Sequence, residues 1–256
     1  LAHVVAQSDV DGERFKELGA RPVSVSGNLK VDTSPPPVDE NVLQSLKNQI
    51  GGRPTWAAVS THEGEEAVAA EVHTMLASRH RGLLTIIVPR HPDRAQALVE
   101  QFAGMGLKVA QRSAGDKVDS DTDILLGDTI GEMGLYLRLT EIAFVGRSLT
   151  SEGGQNPLEP AMLDTAVLAG RNVQNFRESY QRLLDSGGAK LVRDRNMLAG
   201  AVNFLLTNEG ARRDMMAAGV ATVEEMRGAL ARTLKSLEPY IQPLVIEARL
   251  KGANGR

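Results

Sequence analysis

The sequence predicts an α/β fold, a doubly wound parallel sheet of the Rossmann-like kind, and three features predict it. Short apolar runs alternate along the chain with stretches of helical periodicity, as in βαβ units. Glycine and proline clusters separate many of the apolar runs. Short polar residues suited to helix caps follow several of these runs. At 256 residues the chain is long enough to bury a substantial core.

The predicted elements follow in chain order. Strands at 3–7 and 22–26 flank a helix at 8–20, whose Phe15 and Leu18 we expect to face inward. The prolines at 34–37 can continue neither helix nor strand and predict a linker. Further strands are predicted at 55–60, 83–88, 108–111, 124–127, 166–168 and 189–192, and helices at 39–50, 63–78, 92–105 and 175–185. Two more strand–helix units lie within 123–161.

The C-terminal stretch predicts a separate group of helices. An amphipathic helix is expected over 222–237, opened by a capping box of Thr222 and Glu225. Pro239 and Pro243 are expected to break its direction before a last helix at 244–250. We therefore predict a Rossmann-like domain at 1–221 and C-terminal helices at 222–256.

Capping-box spacing, a short polar residue followed three positions later by an acid, recurs where predicted strands lead into helices. If the strands are parallel, these helix starts share the rim formed by the carboxyl ends of the strands. Ligands of open α/β sheets bind at that rim, and helix N-termini favour anions. A phosphorylated small molecule is the first inference. The pairs are Ser60 with Glu63, Thr129 with Glu132, and Asn156 with Glu159.

Composition narrows the function classes. A net charge of −3 gives no support to a nucleic-acid partner. The chain has no cysteine, which excludes disulfides, thiol nucleophiles and cysteine metal sites and suits a reducing compartment. The apolar run 83–88 is far too short to span a bilayer, which needs about 20 residues. Because the sequence opens on an apolar strand without an initiator methionine, we expect it to be the downstream part of a longer protein.

Several common catalytic motifs do not occur in the sequence. Neither GxGxxG after a strand nor GxxxxGK[ST] is present, which argues against a dinucleotide dehydrogenase and a P-loop NTPase. HExxH and GxSxG are also missing, and the histidines show no convincing metal-ligand spacing. We therefore expect neither a metal site nor a serine-hydrolase site.

Candidate ligand residues follow two of the strands. Arg90 lies just after the run at 83–88, where it could fork onto a phosphate or could simply be a surface arginine in a proline-stiffened turn. Glu159 could accept hydrogen bonds from two ribose hydroxyls or serve only as a helix cap. The paired glycines at 153–154 favour the first alternative, because they allow a ligand close to the backbone.

Two further candidates have equally plain alternatives. Glu132, within Gly131-Glu132-Met133, could line a base or phosphate, but an acid at that helix position is also ordinary capping chemistry. Lys30 could neutralise a leaving phosphate, or it could pair with Asp32 in solvent.

Five blocks of the sequence, taken together and in this order, resemble the 3-deoxy-D-manno-octulosonic acid (Kdo) transferases of Gram-negative bacteria. The blocks are GNLKVD, STHEGEE, IVPRHPDR, GDTIGEMGLYLRLTEIAFVG and GGQNPLEPA. The resemblance implies the C-terminal domain of a two-domain GT-B glycosyltransferase that binds CMP-Kdo. In that family the N-terminal domain takes a lipid A precursor at the cytoplasmic face of the inner membrane, in lipopolysaccharide biosynthesis.

The resemblance also implies site residues. Lys30 matches the family's lysine that stabilises the transition state, and no cofactor or metal is implied. The family's general base lies in the N-terminal domain, so we expect this chain to be soluble, to bind CMP and not to transfer sugar by itself. The CMP-binding residues implied are Pro89, Arg90, Gly131, Glu132, Met133, Asn156, Pro157, Leu158 and Glu159.

Two alternatives stay open. One is another GT-B enzyme that uses a UDP-sugar, either a transferase or an epimerase, because a glycine-rich loop followed by an acid is widely shared. The other is a nucleotide-binding module without chemistry of its own. Preference for CMP over UMP tests the first, and the effect of replacing Lys30 on turnover tests the second.

Overall fold

The computed structural model describes the backbone of residues 1–253 and the side chains of residues 1–245. The strands are β1 (Val4–Ala6), β2 (Val23–Val25), β3 (Thr55–Thr61), β4 (Leu84–Pro89), β5 (Val109–Gln111), β6 (Ile124–Leu126), β7 (Ile142–Val145), β8 (Ala166–Ala169) and β9 (Ala189–Leu191). The helices are α1 (Asp9–Glu17), α2 (Glu40–Ile50), α3 (Glu65–Ala77), α4 (Ala95–Gly104), α5 (Met133–Leu137), α6 (Leu158–Met162), α7 (Arg177–Ser186), α8 (Arg195–Thr207), α9 (Glu209–Met226) and α10 (Ala229–Ala253).

Contacts divide the chain into two compact units. The larger unit is residues 35–222, and the smaller combines residues 1–34 with the described residues from 223 onward. The predicted linker at 34–37 contains the first junction, and the predicted boundary between 221 and 222 lies one residue from the second. Residues 1–34, which the sequence assigned to the Rossmann-like domain, group by contacts with the C-terminal helices instead.

The larger unit contains a parallel sheet of seven strands in the order β5-β6-β4-β3-β7-β8-β9. Every residue of β4, β7 and β8 is buried, as expected for parallel strands covered on both faces. On one face Trp56 and Phe144 belong to the same apolar cluster as Phe102 of α4 and Val202 of α8. The predicted α/β fold is confirmed, because these seven strands pair in parallel and helices connect most of them along the chain.

The smaller unit begins with β1, α1 and β2. The two strands pair in parallel, and α1 connects them. The expectation that Phe15 and Leu18 face inward is wrong: they are 39% and 83% exposed. The buried residue of α1 is Gly12, where an added Cβ would lie 3.0 Å from Val25 Cγ2. The helix thus approaches the strands through its glycine, and Leu18 lies beyond the last helical residue.

The C-terminal helices differ from the prediction in three respects. Thr222 is not a cap but lies inside α9, where its hydroxyl donates to the Ala218 carbonyl at 2.7 Å. The chain breaks instead at Gly228, whose φ of 91° glycine adopts easily. Pro239 and Pro243 both lie within α10, which continues through the predicted last helix. Each proline lacks the N–H that would continue the helical hydrogen bonds, and a long helix can accommodate this loss by bending locally.

No helix in the described residues combines the length and apolarity that a membrane span requires.

Candidate functional site

The carboxyl ends of the central strands surround a cavity of about 190 Å³ in the larger unit. It opens where β3 has β4 on one side and β7 on the other, so the chain order reverses at this point of the sheet. Ligands of open α/β sheets bind at such a position. Of the predicted CMP-binding residues, six line the cavity: Pro89, Arg90, Gly131, Met133, Asn156 and Glu159. The remaining lining residues are Ser60, Val88, Pro92, Thr129, Ile130 and Gln155.

Arg90 is held by its backbone and leaves its side chain exposed at the cavity. Its amide donates to the Thr61 carbonyl at 2.9 Å, just beyond the last residue of β4. Pro92 then opens a short 3₁₀ turn, which limits the conformations of the segment. A guanidinium placed in this way can donate two parallel hydrogen bonds to a phosphate.

The carboxylate of Glu132 is engaged by protein groups. Arg112 donates to it twice, from Nε at 3.2 Å and from Nη2 at 2.8 Å, and the Thr129 hydroxyl donates as well. Burial alone would raise the pKa of Glu132, but the hydrogen bonds from Arg112 and Thr129 hold that pKa below its usual value. The predicted capping box is wrong, because α5 begins only at Met133 and Thr129 bonds to the acid itself.

Glu132 lines a second, adjoining cavity of about 180 Å³, together with Gly131 and residues of the 37–42 segment. The role of Glu132 in CMP binding remains a prediction. In the structure its carboxylate accepts hydrogen bonds from Arg112 and Thr129 and so holds the 129–133 loop.

The glycine-rich loop brings Asn156 and Glu159 to the cavity. Asn156 Oδ1 accepts from the amide of Leu158, the first residue of α6, at 3.1 Å, but the N-cap is Pro157 and not Asn156, so the predicted capping box is wrong here too. Glu159 instead accepts from the side-chain amide of Asn156, at 3.4 Å. Pro157 and Leu158 are buried, and Leu158 is 0% exposed, so the place of these two residues in CMP binding remains a prediction.

The third predicted box, Ser60 with Glu63, is also wrong. Helix α3 begins at Glu65 after a left-handed Gly64, and the acid that turns back to the chain is Glu65, which accepts from the His62 amide at 2.9 Å. The true pair is therefore displaced by two residues. The spacing of His62 and Glu65 could have signalled this contact, but no local pattern signals the further partners of Glu65 described below.

His62 contacts Ser60, which lines the cavity. Its Nδ1 is 3.2 Å from the Ser60 carbonyl, which can only accept, so Nδ1 carries the proton. Its ring meets that of His91 edge-on at 5.6 Å between centroids. Burial lowers the pKa of His62, which favours the neutral ring and makes Nε2 a hydrogen-bond acceptor.

Lys30 belongs to the smaller unit. It lies in a 3₁₀ turn at Leu29–Asp32, and its backbone amide donates to Asn28 Oδ1 at 3.0 Å. Asp32, the alternative partner expected for Lys30, accepts from the amides of Gly228 and Leu230 at the start of α10. The catalytic role of Lys30 remains a prediction.

Over the part of the chain whose side chains are described, no three His, Asp or Glu residues come close enough together to hold a metal ion.

No protein-family model matches the chain. Two curated relatives are named 3-deoxy-D-manno-octulosonic acid transferase. The protein of Haemophilus influenzae is 33% identical over 246 residues, which are 94% of this chain and 58% of the relative. The protein of Bordetella pertussis is 35% identical over 246 residues, which are 94% of this chain and 57% of the relative. The chain thus spans less than two thirds of the length of these relatives.

A solved structure with the same fold is the C-terminal CMP-Kdo binding domain of WaaA from Acinetobacter baumannii. It is 27% identical, with a TM-score of 0.68, and the match covers 72% of this chain and 96% of that domain.

Proposed function

Because this chain is a homologue of the 3-deoxy-D-manno-octulosonic acid transferases and has the fold of a CMP-Kdo binding domain, we propose that it binds CMP-Kdo as the donor part of such a transferase. The observation that carries the proposal is the cavity at the strand ends. It contains Arg90, Gly131, Asn156 and Glu159, which come from three separate segments and which the resemblance assigns to CMP binding.

The chemistry of the cavity suits a nucleoside monophosphate linked to a sugar. Arg90 can meet the phosphate charge, and the two oxygens of Glu159 can accept from the ribose hydroxyls. Transfer breaks the bond between the sugar and the phosphate, so negative charge grows on the leaving phosphate. We assign Lys30 to the stabilisation of that charge in the transferase. A single phosphate needs no diphosphate clamp, so the proposed reaction uses CMP-Kdo as substrate and requires neither a cofactor nor a metal.

The proposal for the whole transferase goes further. A lipid A precursor would be the acceptor, at the cytoplasmic face of the bacterial inner membrane, in lipopolysaccharide biosynthesis. The acceptor hydroxyl needs a general base within hydrogen-bond reach. The resemblance assigns that base to a domain that precedes this region, so we propose that the chain alone binds CMP without transferring Kdo. Transfer of Kdo by the purified chain would contradict this part of the proposal.

Calorimetric titration with CMP, UMP and AMP tests the donor site. We expect CMP to bind best, and Arg90→Ala to weaken binding about 10- to 100-fold, because a hydrogen bond to a charged group contributes about 1.5–3 kcal/mol. Arg81→Ala is the matched control, since Arg81 is exposed and precedes the opposite end of the same strand. Preference for UMP would favour the UDP-sugar alternative, and equal binding of all three nucleotides would contradict the proposal.

A further inference from the structure

A buried carboxylate lies behind the donor cavity and is bound entirely by backbone amides. Glu65 is 1% exposed. Its Oε2 accepts from the amides of His62 at 2.9 Å and Arg147 at 2.6 Å, and its Oε1 accepts from those of Ser148 and Leu149, both at 2.9 Å. A carboxylate can accept about four hydrogen bonds, so these donors satisfy its capacity. Without them, burial of its charge would cost several kcal/mol.

Three of these amides belong to the consecutive residues 147–149, which are separated from β7 only by Gly146. Arg147 has a φ of 53°, a left-handed conformation that costs a residue with a Cβ about 1–2 kcal/mol. Convergence of the three amides on one anion compensates for this strain. The fit leaves no space for a side chain at Gly146, where a Cβ would lie 2.5 Å from the Ser60 carbonyl oxygen and 2.7 Å from Glu65 Oε2.

Residues 147–149, whose amides bind Glu65, are hydrogen-bonded in turn to the glycine-rich loop. The Arg147 carbonyl accepts from the Gly154 amide at 2.7 Å, and Arg147 Nε donates to the Glu152 carbonyl at 3.0 Å. Asn156, at the cavity, follows Gly154 by two residues. A short chain of hydrogen bonds therefore leads from Glu65 through Arg147 to the start of the donor loop.

We propose that Glu65 is a positioning residue of the donor site: by binding the amides of residues 147–149 it holds the 152–159 loop in the conformation that receives the nucleotide. The inference rests on the proposed function for its ligand. Glu65 itself touches no nucleotide, because its carboxylate is buried and fully engaged. Glutamine in its place would turn an amide donor towards other donors and leave buried N–H groups without acceptors.

Glu65→Gln tests the proposal, with Glu63→Gln as the control because Glu63 is exposed in the same turn. CMP affinity is measured by calorimetry, and amide hydrogen exchange is followed at residues 147–154 and in β4. We expect Glu65→Gln to weaken CMP binding at least tenfold and to accelerate exchange at 147–154 but not in β4. Glu63→Gln should change neither. If Glu65→Gln does not fold, Glu65→Asp is measured in the same way, since it keeps the charge but shortens the reach.

The outcomes separate the two claims. Wild-type CMP affinity in a folded Glu65→Gln variant, or faster exchange throughout the sheet, overturns the positioning role. If the unmodified chain does not bind CMP, the donor assignment fails, and the exchange rates at 147–154 alone decide whether Glu65 holds the loop.

Discussion

Gly154→Ala should destabilise the larger unit because the loop leaves no space for a Cβ. Gly154 has a φ of 76°, and an added Cβ would lie 2.8 Å from Val173 Cα and 2.9 Å from the Asn172 carbonyl oxygen. Both are backbone atoms, so neither can turn aside as a flexible side chain would. The left-handed conformation costs alanine about 1–2 kcal/mol, and overpacking adds about 1–3 kcal/mol. We expect the free energy of unfolding to fall by about 2–5 kcal/mol.

Gly187→Ala is the matched control for this substitution. Gly187 has a similar φ of 82°, but no atom lies within 4 Å of a Cβ built there, so only the conformational cost of about 1–2 kcal/mol applies. Urea unfolding followed by fluorescence of the single, buried Trp56 reports on the larger unit. CMP affinity should also fall for Gly154→Ala and not for Gly187→Ala. Equal losses of stability in the two variants would refute the steric reasoning.

Two further predictions concern pH and helix capping. Burial lowers the pKa of His73, whose ring is 1% exposed and bonds to Thr85 at 2.9 Å, so on acidification the unfolded chain takes up this proton first. The free energy of unfolding should therefore fall as the pH drops below about 6.5, by up to about 1.4 kcal/mol per pH unit from this group. Urea midpoints between pH 7.5 and 5 measure it, and a slope that His73→Gln leaves unchanged would exclude His73 as the cause. Asp32→Ala should destabilise the start of α10 by about 1–2 kcal/mol, because Asp32 accepts from the Gly228 and Leu230 amides. Hydrogen exchange at 229–232 measures this, with Asp39→Ala, which uncaps α2 in the larger unit, as the control; equal exchange at 229–232 in both variants would contradict it.

Much of the fold could be predicted because its signals are local. The apolar runs at 83–88 and 166–168 fall within one residue of the observed β4 and β8, since strands buried on both faces are apolar throughout. The ends of the helices were harder to predict from the sequence. The sequence offered Thr222 and Ser60 as caps, but Thr222 lies inside α9 and α3 begins at Glu65. Spacing shows which hydrogen bonds are possible and not which donor reaches the acceptor.

Some features of the candidate site could be predicted from the sequence, and others could not. Arg90 and Glu159 could be proposed from their positions after predicted strands, whereas Asn156 came from the family resemblance, and all three line the cavity. Neither the partner of Glu132, an arginine 20 residues away, nor the amide partners of Glu65, 82 to 84 residues away, could be predicted. No periodicity carries information over such separations.

The sequence by itself therefore determined the alternation of strands and helices, the absence of thiol chemistry and the residue types at the carboxyl ends of the strands. Only the tertiary structure decided which acids remain available to a ligand and which hold the protein together. The physical reason is the order of strands in the sheet. Pairing of β7 with β3 places residues 147–149 against the first turn of α3, so the carboxylate of Glu65 is satisfied by the fold, while Glu159 remains at the cavity.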